Sequence, residues 1–529
     1  MISAHPLRSS QSRPASRPRR VLLFATAAVL AAAALTISGP ARAAEKNIIF
    51  FITDDESPTL GCYGDQVAQT PAIDKVAADG VLFRNAFATT ASCSASRSVV
   101  MSGLHNHRNG QYGHQHHFHK FLTFEDVGRL SLPNVLNASG YRTGHIGKYH
   151  VGPEHVYHYE TYLRGNPRNA VDMAENAREF ITAADDRPFF LYFATADPHR
   201  GGGVDRTSSL DLPPDLFGNK PNRGSFPGVT EVFYDPAAVP VPAFLPDTPE
   251  TREELAQYYQ SVSRVDAGVA KLVEILKAAD LYDKTLIVFT SDHGMAFSGG
   301  KTTVYEGGLR VPMVVRDPYQ SPRGFQSDAM ISHIDITPTL LDFAGALDPE
   351  KNAPKTYGAT NLTHADEKAR KPQFENRNGG KPFDSYHGRS WLSALADPDA
   401  KHWDTIFASH TFHEIQMYYP MRVVRDDAYK LIWNIAAGLP YPFASDLWAA
   451  SSWQAQYRKG LDAPYGRRTV GQYIHRPKFE LYDIRNDPDE TTNLADSPGH
   501  ADLLLRYQEK LKTFQKDMDD PWIMKWEYE

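Results

Sequence analysis

Asn47-Ile48-Ile49-Phe50-Phe51-Ile52-Thr53 is apolar from Ile48 to Ile52, shows no polar alternation, and empties into Asp54-Asp55. A short, continuous, β-branched and aromatic run of this kind is what a strand buried on both faces requires. Two more runs read the same way. Residues 187–196 (RPFFLYFATA) deliver Asp197-Pro198-His199, and residues 285–291 (TLIVFTS) deliver Asp292-His293-Gly294. Between them, residues 253–279 place Leu255, Tyr258, Tyr259, Val262, Val265 and Val269 near helical spacing. Thr70-Pro71 open another helix, expected to end near Gly80. Strands alternating with helices predict an α/β fold with a large, mostly parallel central sheet covered by helices on both faces. In such sheets ligands bind beyond the carboxyl ends of the strands. Three strands here run out into acids or histidines at that end.

Working outward, residues 350–384 are polar and rich in Lys, Asn, Gly and Pro, which predicts a surface excursion. Beyond it, residues 406–409, 421–424 and 429–433 are short strand candidates with no helix between them. They predict a smaller C-terminal α+β domain with an antiparallel sheet, closed by a helix near 501–516. Residues 44–400 then form the catalytic domain and 401–529 the C-terminal subdomain. The first 43 residues hold six arginines and no acid, then an apolar run (21–37) and Ala41-Arg42-Ala43. That is the layout of an export signal, by the general or the twin-arginine route (Arg19-Arg20), for a periplasmic or secreted protein. The alternative is an uncleaved membrane anchor, for which the run is short against the ~20 residues of a span.

The 529-residue chain has net charge −7, and loss of the six leader arginines leaves −13. Nucleic acid and anionic membrane surfaces are poor partners for such a chain. Two cysteines, Cys62 and Cys93, exclude a disulfide scaffold and a multi-cysteine zinc site.

Asp54, Asp55 and Asp292 supply hard oxygens and His293 a nitrogen. Carboxylates forced together repel unless a cation neutralises them, and an oxygen-rich set suits Ca²⁺ or Mg²⁺ better than zinc. Cys93-Ser94-Ala95-Ser96-Arg97 precedes Ser98-Val99-Val100-Met101, which reads as a helix start, a place that favours an anion. Cys93 there is an activated thiolate, a residue converted to something else, or a small buried hydrophobe. Residues 140–150 end in Lys148-Tyr149-His150. If that end is extended, Lys148 and His150 share a face and suit an oxyanion and its leaving group; otherwise the segment is a solvated loop. The six histidines of 105–119 fit no standard zinc spacing and are expected to face solvent or a substrate. His413, Glu414 and Arg422 are expected at the pocket rim, where they would read hydroxyls or a carboxylate of a bound molecule.

Cys93-x-Ala95-x-Arg97 resembles the sulfatase signature, in which proline usually stands at the position of Ala95, and residues 140–150 resemble the second signature, ending Gly-Lys-x-His. Glu480-Leu481-Tyr482-Asp483 with Asp487-Pro488 and Asn493-Leu494 resembles the C-terminal block of the same family. On these blocks, spanning about 46 to 525, the chain resembles the sulfatases of the alkaline phosphatase superfamily. Further stretches resemble the sulfamidase branch, which hydrolyses N-sulfoglucosamine; among them are Phe83-Arg84-Asn85-Ala86-Phe87, His116-His117-Phe118 and Asp197-Pro198-His199-Arg200.

The resemblance implies that a maturation enzyme oxidises Cys93 to Cα-formylglycine, whose hydrate attacks sulfur. It implies Ca²⁺, with Mg²⁺ as the substitute, held by Asp54, Asp55, Asp292, His293 and the residue made from Cys93. It gives Arg97 to the diol, and Lys148, His150 and Lys301 to the sulfate oxygens. His199 becomes the proton donor, with His150 second, and His117 and Arg200 join the substrate-binding candidates. The implied substrate is a sulfated saccharide, the N-sulfate of glucosamine ending heparan-sulfate or heparin-type glycans, and the implied assembly is a homodimer. His293 and Lys301 stand where sulfamidases carry Asn and Arg. That keeps open an O-sulfatase for another sugar or an aryl sulfate, a phosphonate or phosphodiester hydrolase, and, in a different class, a glycan-binding protein without catalysis.

Overall fold

The computed structural model describes residues 46–116, 120–348 and 385–528. The leader, the 350–384 excursion and His117 lie outside them. β1 (Asn47–Thr53) sits at the middle of an eight-stranded sheet, parallel to β5 (Phe189–Ala194) on one side and β6 (Thr285–Ser291) on the other. Outward from β5 come β3 (Arg142–Gly147) and β4 (Thr161–Leu163), both parallel. Outward from β6 come β7 (Met313–Arg316), β2 (Val81–Phe87) and β8 (Phe325–Ser332). β7 alone is antiparallel to its neighbours.

The continuous apolar run of β1 has a direct structural reason. Ile48, Phe50 and Ile52 enter one apolar cluster, while Ile49 and Phe51 enter the cluster on the opposite face. Each such side chain contributes roughly 1.5–3 kcal/mol on burial, so a polar residue at any of these positions is costly. The second face is covered by a 30-residue helix, Pro249–Ala278, with Thr248 accepting from the Thr251 amide as its cap and proline at the first turn. Its Leu255, Tyr258, Val262, Val265 and Val269 join Ile49 and Phe51, as the spacing predicts.

β9 (Thr405–His410), β10 (Met421–Asp426) and β11 (Tyr429–Asn434) form an antiparallel sheet. A two-residue pair, β12 (Pro464–Tyr465) and β13 (Arg468–Thr469), precedes β14 (Phe479–Asp483), which completes that sheet at β11. The helix Ala501–Asp517 packs Tyr507, Leu511 and Phe514 on one face of it, with the Phe514 and Phe407 rings stacked at 3.9 Å. The other face, through Ile406, Ala408, Met421, Val423 and Ile432, joins the apolar cluster of the Pro249–Ala278 helix. The small sheet is therefore built into the same core as the large one.

Candidate active site

β1 and β6 pair in register, Thr53 opposite Ser291, so the residues after each strand emerge side by side. Asp54, Asp55, Asp292 and His293 are thereby brought together, all with 0% exposure. Asp55 adopts φ +66°, a left-handed conformation that costs a non-glycine residue about 1–2 kcal/mol, and its amide donates to Asp292 Oδ1 at 3.0 Å. Strain of this kind persists where the surroundings over-determine it.

Cys93 is not ahead of a helix but its first residue: the helix runs Cys93–Ser102, and every residue in it is buried. Its Sγ lies 3.3 Å from His293 Nε2 and 3.7 Å from Asp55 Oδ1. Arg97, one turn along the same face, donates from Nε to Asp292 Oδ2 at 2.9 Å and from Nη2 to Asp54 Oδ1 at 3.2 Å. Lys148, just beyond β3, pairs with Asp54 Oδ2. Lys301 Nζ reaches Asp55 Oδ2 at 2.9 Å, His199 Nε2 at 2.8 Å and Asp446 Oδ2 at 2.9 Å.

Burial opposes ionisation of Asp54, but Lys148 and Arg97 outweigh it and hold its carboxyl well below the usual range. Lys301 does the same for Asp55. Burial pushes Asp292 up to about 6 despite Arg97. For Cys93, burial raises the thiol well above its ordinary value, so the unmodified side chain is not a thiolate.

His199 donates from Nδ1 to the Arg200 carbonyl at 2.6 Å, which leaves Nε2 as an acceptor for the Lys301 ammonium. Burial, then Lys301, lowers its pKa. The imidazole is accordingly neutral, and its Nε2 accepts a hydrogen bond from the Lys301 ammonium.

Asp54, Asp55, Asp292, His293 and Sγ of Cys93 fall into overlapping groups of three whose ligand atoms lie within 4.8 Å of one another. The three carboxylates face Arg97, Lys148 and Lys301, and Asp446 adds a fourth acid. Hard, charged oxygens with a single nitrogen fit a divalent ion of the Ca²⁺ or Mg²⁺ class.

The remaining candidates separate. Arg200 follows His199 but points away from the site. Its guanidinium forms a bidentate pair with Glu254 at 2.7 Å, donates to Ala296 O, and lies between the Phe217 and Phe297 rings at 4.6 and 4.7 Å. Each of the three guanidinium nitrogens is engaged inside the fold, so Arg200 does not face the carboxylate centre. Arg422 falls on the wrong face of β10. Side chains alternate along a strand, and its neighbours Met421 and Val423 enter the shared core while Arg422 turns toward the terminal helix and pairs with Asp520 at 2.5 and 2.9 Å. Neither arginine is at a pocket rim. His413 is buried, 3.0 Å from the hydroxyl of Ser92 at the start of the Cys93–Ser102 helix. Glu414 is half-buried, 3.4 Å from Ser445 Oγ.

His150 adopts φ +55° after a left-handed Gly147, so the segment is not extended and Lys148 and His150 diverge: one meets Asp54, the other meets His116. Nor do the described histidines of the tract lie open to solvent: His105, His107 and His114 are buried and His116 is half-buried. Asp446, in the helix Ser445–Ala449, carries no motif and reaches the site only through the tertiary fold.

The sulfatase family model matches residues 46–346. An N-sulphoglucosamine sulphohydrolase of Homo sapiens is 36% identical over 503 residues, covering 93% of this chain and 94% of that protein. The chain belongs to the sulfatase family. Its members are hydrolases of sulfate esters and sulfamates. An ulvan-active sulfatase of Formosa agariphila is 26% identical over 490 residues, 90% of this chain and 80% of that protein. Among solved structures, one in complex with its substrate D-glucosamine-2-N,6-O-disulfate superposes with a TM-score of 0.58 at 20% identity, covering 90% of this chain and 98% of that one. The phosphonate monoester hydrolase of Agrobacterium radiobacter gives 0.58 at 19% identity, covering 89% and 96%. At these identities both structures speak to the fold, which this sulfatase shares.

Proposed function

We propose that the protein is an exported, formylglycine- and Ca²⁺-dependent sulfatase that removes the N-sulfate of glucosamine at the end of heparan-sulfate or heparin-type glycans, residues 1–43 being its export signal. The observation that carries the chemistry is the placement of Cys93 at a buried helix start, facing Asp54, Asp55, Asp292 and His293 and ringed by Arg97, Lys148 and Lys301. The choice of an N-sulfated substrate is supported by 36% identity over nearly the whole chain to the human N-sulphoglucosamine sulphohydrolase.

The aldehyde that a maturation enzyme would make from Cys93 would supply, as its hydrate, an oxygen nucleophile, and a divalent ion held by Asp54, Asp55, Asp292, His293 and that residue would supply Lewis-acid stabilisation of sulfate oxygens. The chain's own residues do the rest. Arg97 fixes Asp54 and Asp292 so that both carboxylates stay aimed at one point. Lys148 and Lys301 place two ammonium groups against an incoming sulfate in a site largely closed to water, where charge pairing is strong. An amine leaving sulfur takes a proton as the bond breaks. His199, whose Nε2 accepts from the Lys301 ammonium across 2.8 Å, is the group that passes this proton on.

The test is a panel of N-sulfoglucosamine, 6-O-sulfated glucosamine, an aryl sulfate and a phosphodiester, run on protein whose Cys93 peptide has been weighed for loss of sulfur and gain of oxygen. We expect sulfate release fastest from N-sulfoglucosamine. Faster release from the 6-O-sulfate assigns an O-sulfatase. No turnover of any substrate by fully converted protein overturns the enzymatic reading.

A further inference from the structure

Beside the carboxylate centre, three histidines from two distant segments turn their ring nitrogens toward one point. His114 and His116, two apart on the loop after the Asn106–Asn109 helix, meet His150, which the left-handed turn after β3 swings toward them. His116 Nδ1 is 2.9 Å from His114 Nδ1 and 2.7 Å from His150 Nε2. All three ligand atoms lie within 4.8 Å of one another.

A single ring nitrogen carries either one proton or one lone pair. His116 Nδ1 therefore cannot make a full hydrogen bond to both neighbours, whereas one cation satisfies all three atoms together. We propose that His114 Nδ1, His116 Nδ1 and His150 Nε2 form a second metal site, selective for Zn²⁺ and related borderline transition ions.

Three features support this. The donor set is nitrogen alone, which favours Zn²⁺ over Ca²⁺ or Mg²⁺, so the two neighbouring centres sort ions by ligand chemistry. The ligands are also held from behind. His114 Nε2 lies 2.8 Å from His413 Nδ1, the His114 amide donates to the His413 carbonyl at 2.7 Å, and the Gln115 amide donates to Ser94 Oγ at 3.0 Å. A second-shell partner on the far nitrogen fixes which nitrogen of His114 faces the ion. Finally, burial, with His413 acting on His114 and Lys148 on His150, keeps both rings well below their ordinary pKa and hence neutral. Ligands about 2.0–2.1 Å from zinc sit roughly 3.3 Å apart, so the two short contacts must open by about half an ångström. His116, only half-buried, can move that far. A three-histidine set leaves the fourth tetrahedral position to water or an anion.

The experiment is titration of the Ca²⁺-loaded, full-length protein with ZnCl₂ by calorimetry, with both metals counted after desalting and the spectrum recorded with Co²⁺ in place of Zn²⁺. It needs no turnover, so it is independent of the sulfatase substrate. We expect one Zn²⁺ bound with Ca²⁺ retained, tetrahedral cobalt absorption bands, and at least a tenfold weaker affinity in His116→Ala. His114→Gln, closer in volume at a buried position, should lose zinc in the same way. Unchanged zinc affinity in both variants, zinc uptake matched by equal calcium loss, or no zinc uptake at all overturns the proposal.

Discussion

Asp446 Oδ2 stands 2.9 Å from Lys301 Nζ, a carboxylate from the C-terminal part of the chain closing over a lysine of the central one. With Asp55 and His199 it gives each proton of the ammonium an acceptor, so the cation has a single orientation. Hydrogen bonds to charged groups contribute about 1.5–3 kcal/mol. Asp446→Asn is expected to lower kcat about ten- to a hundredfold on an N-sulfated substrate without changing calcium content. Unaltered kinetics would take Asp446 out of the positioning role.

Arg97 spans two buried acids in a way that the single ammonium of lysine cannot. Arg97→Lys is expected to destabilise the protein by about 3–5 kcal/mol, the usual cost of breaking a buried pair, and to abolish sulfate release. Urea unfolding with the metal-loaded protein measures the first effect. A midpoint equal to that of the parent chain contradicts it.

Arg422 and Asp520 belong to the same class of buried pair but lie under the terminal helix. Arg422→Ala is expected to cost a similar amount of stability while leaving KM unchanged at a temperature where the variant is folded. A raised KM would return Arg422 to the substrate.

His107 and His145 are pushed down to about 4, and His333 and His410 to about 3, in each case by burial first. Between pH 6.5 and about 4 the unfolded chain therefore binds protons that the folded chain refuses. The sign follows: stability is full above 6.5 and falls as pH drops toward 4, each histidine contributing up to about 1.4 kcal/mol per pH unit. Urea midpoints at pH 7.0 and 5.5 should differ clearly, and His333→Gln should narrow the gap. Coincident midpoints would refute it.

The central sheet was legible because strands buried on both faces leave unbroken apolar runs, and Asp54-Asp55 and Asp292-His293 were legible as the places where two of those runs stop. In-register pairing of β1 with β6 then does the assembling. Other features depended on parity or direction, which a single segment does not carry. Arg422 was misplaced by the alternation of a strand whose facing was unknown, and Arg200 by a turn that sends adjacent side chains apart. The left-handed His150 reversed the expected partner of its ring. Asp446 had no local signal at all. The histidine tract defied a metal pattern because His150, which meets His116, belongs to a different stretch of chain.

Cys93 and every other residue of its helix are buried. A large modifying catalyst needs its target stretched in a groove, and a thiol sealed at the root of a packed helix cannot be offered that way. On the proposed conversion of Cys93, editing would come first and burial afterward. The active fraction of a preparation would then be decided during synthesis, and a molecule that closed with its sulfur intact would stay silent.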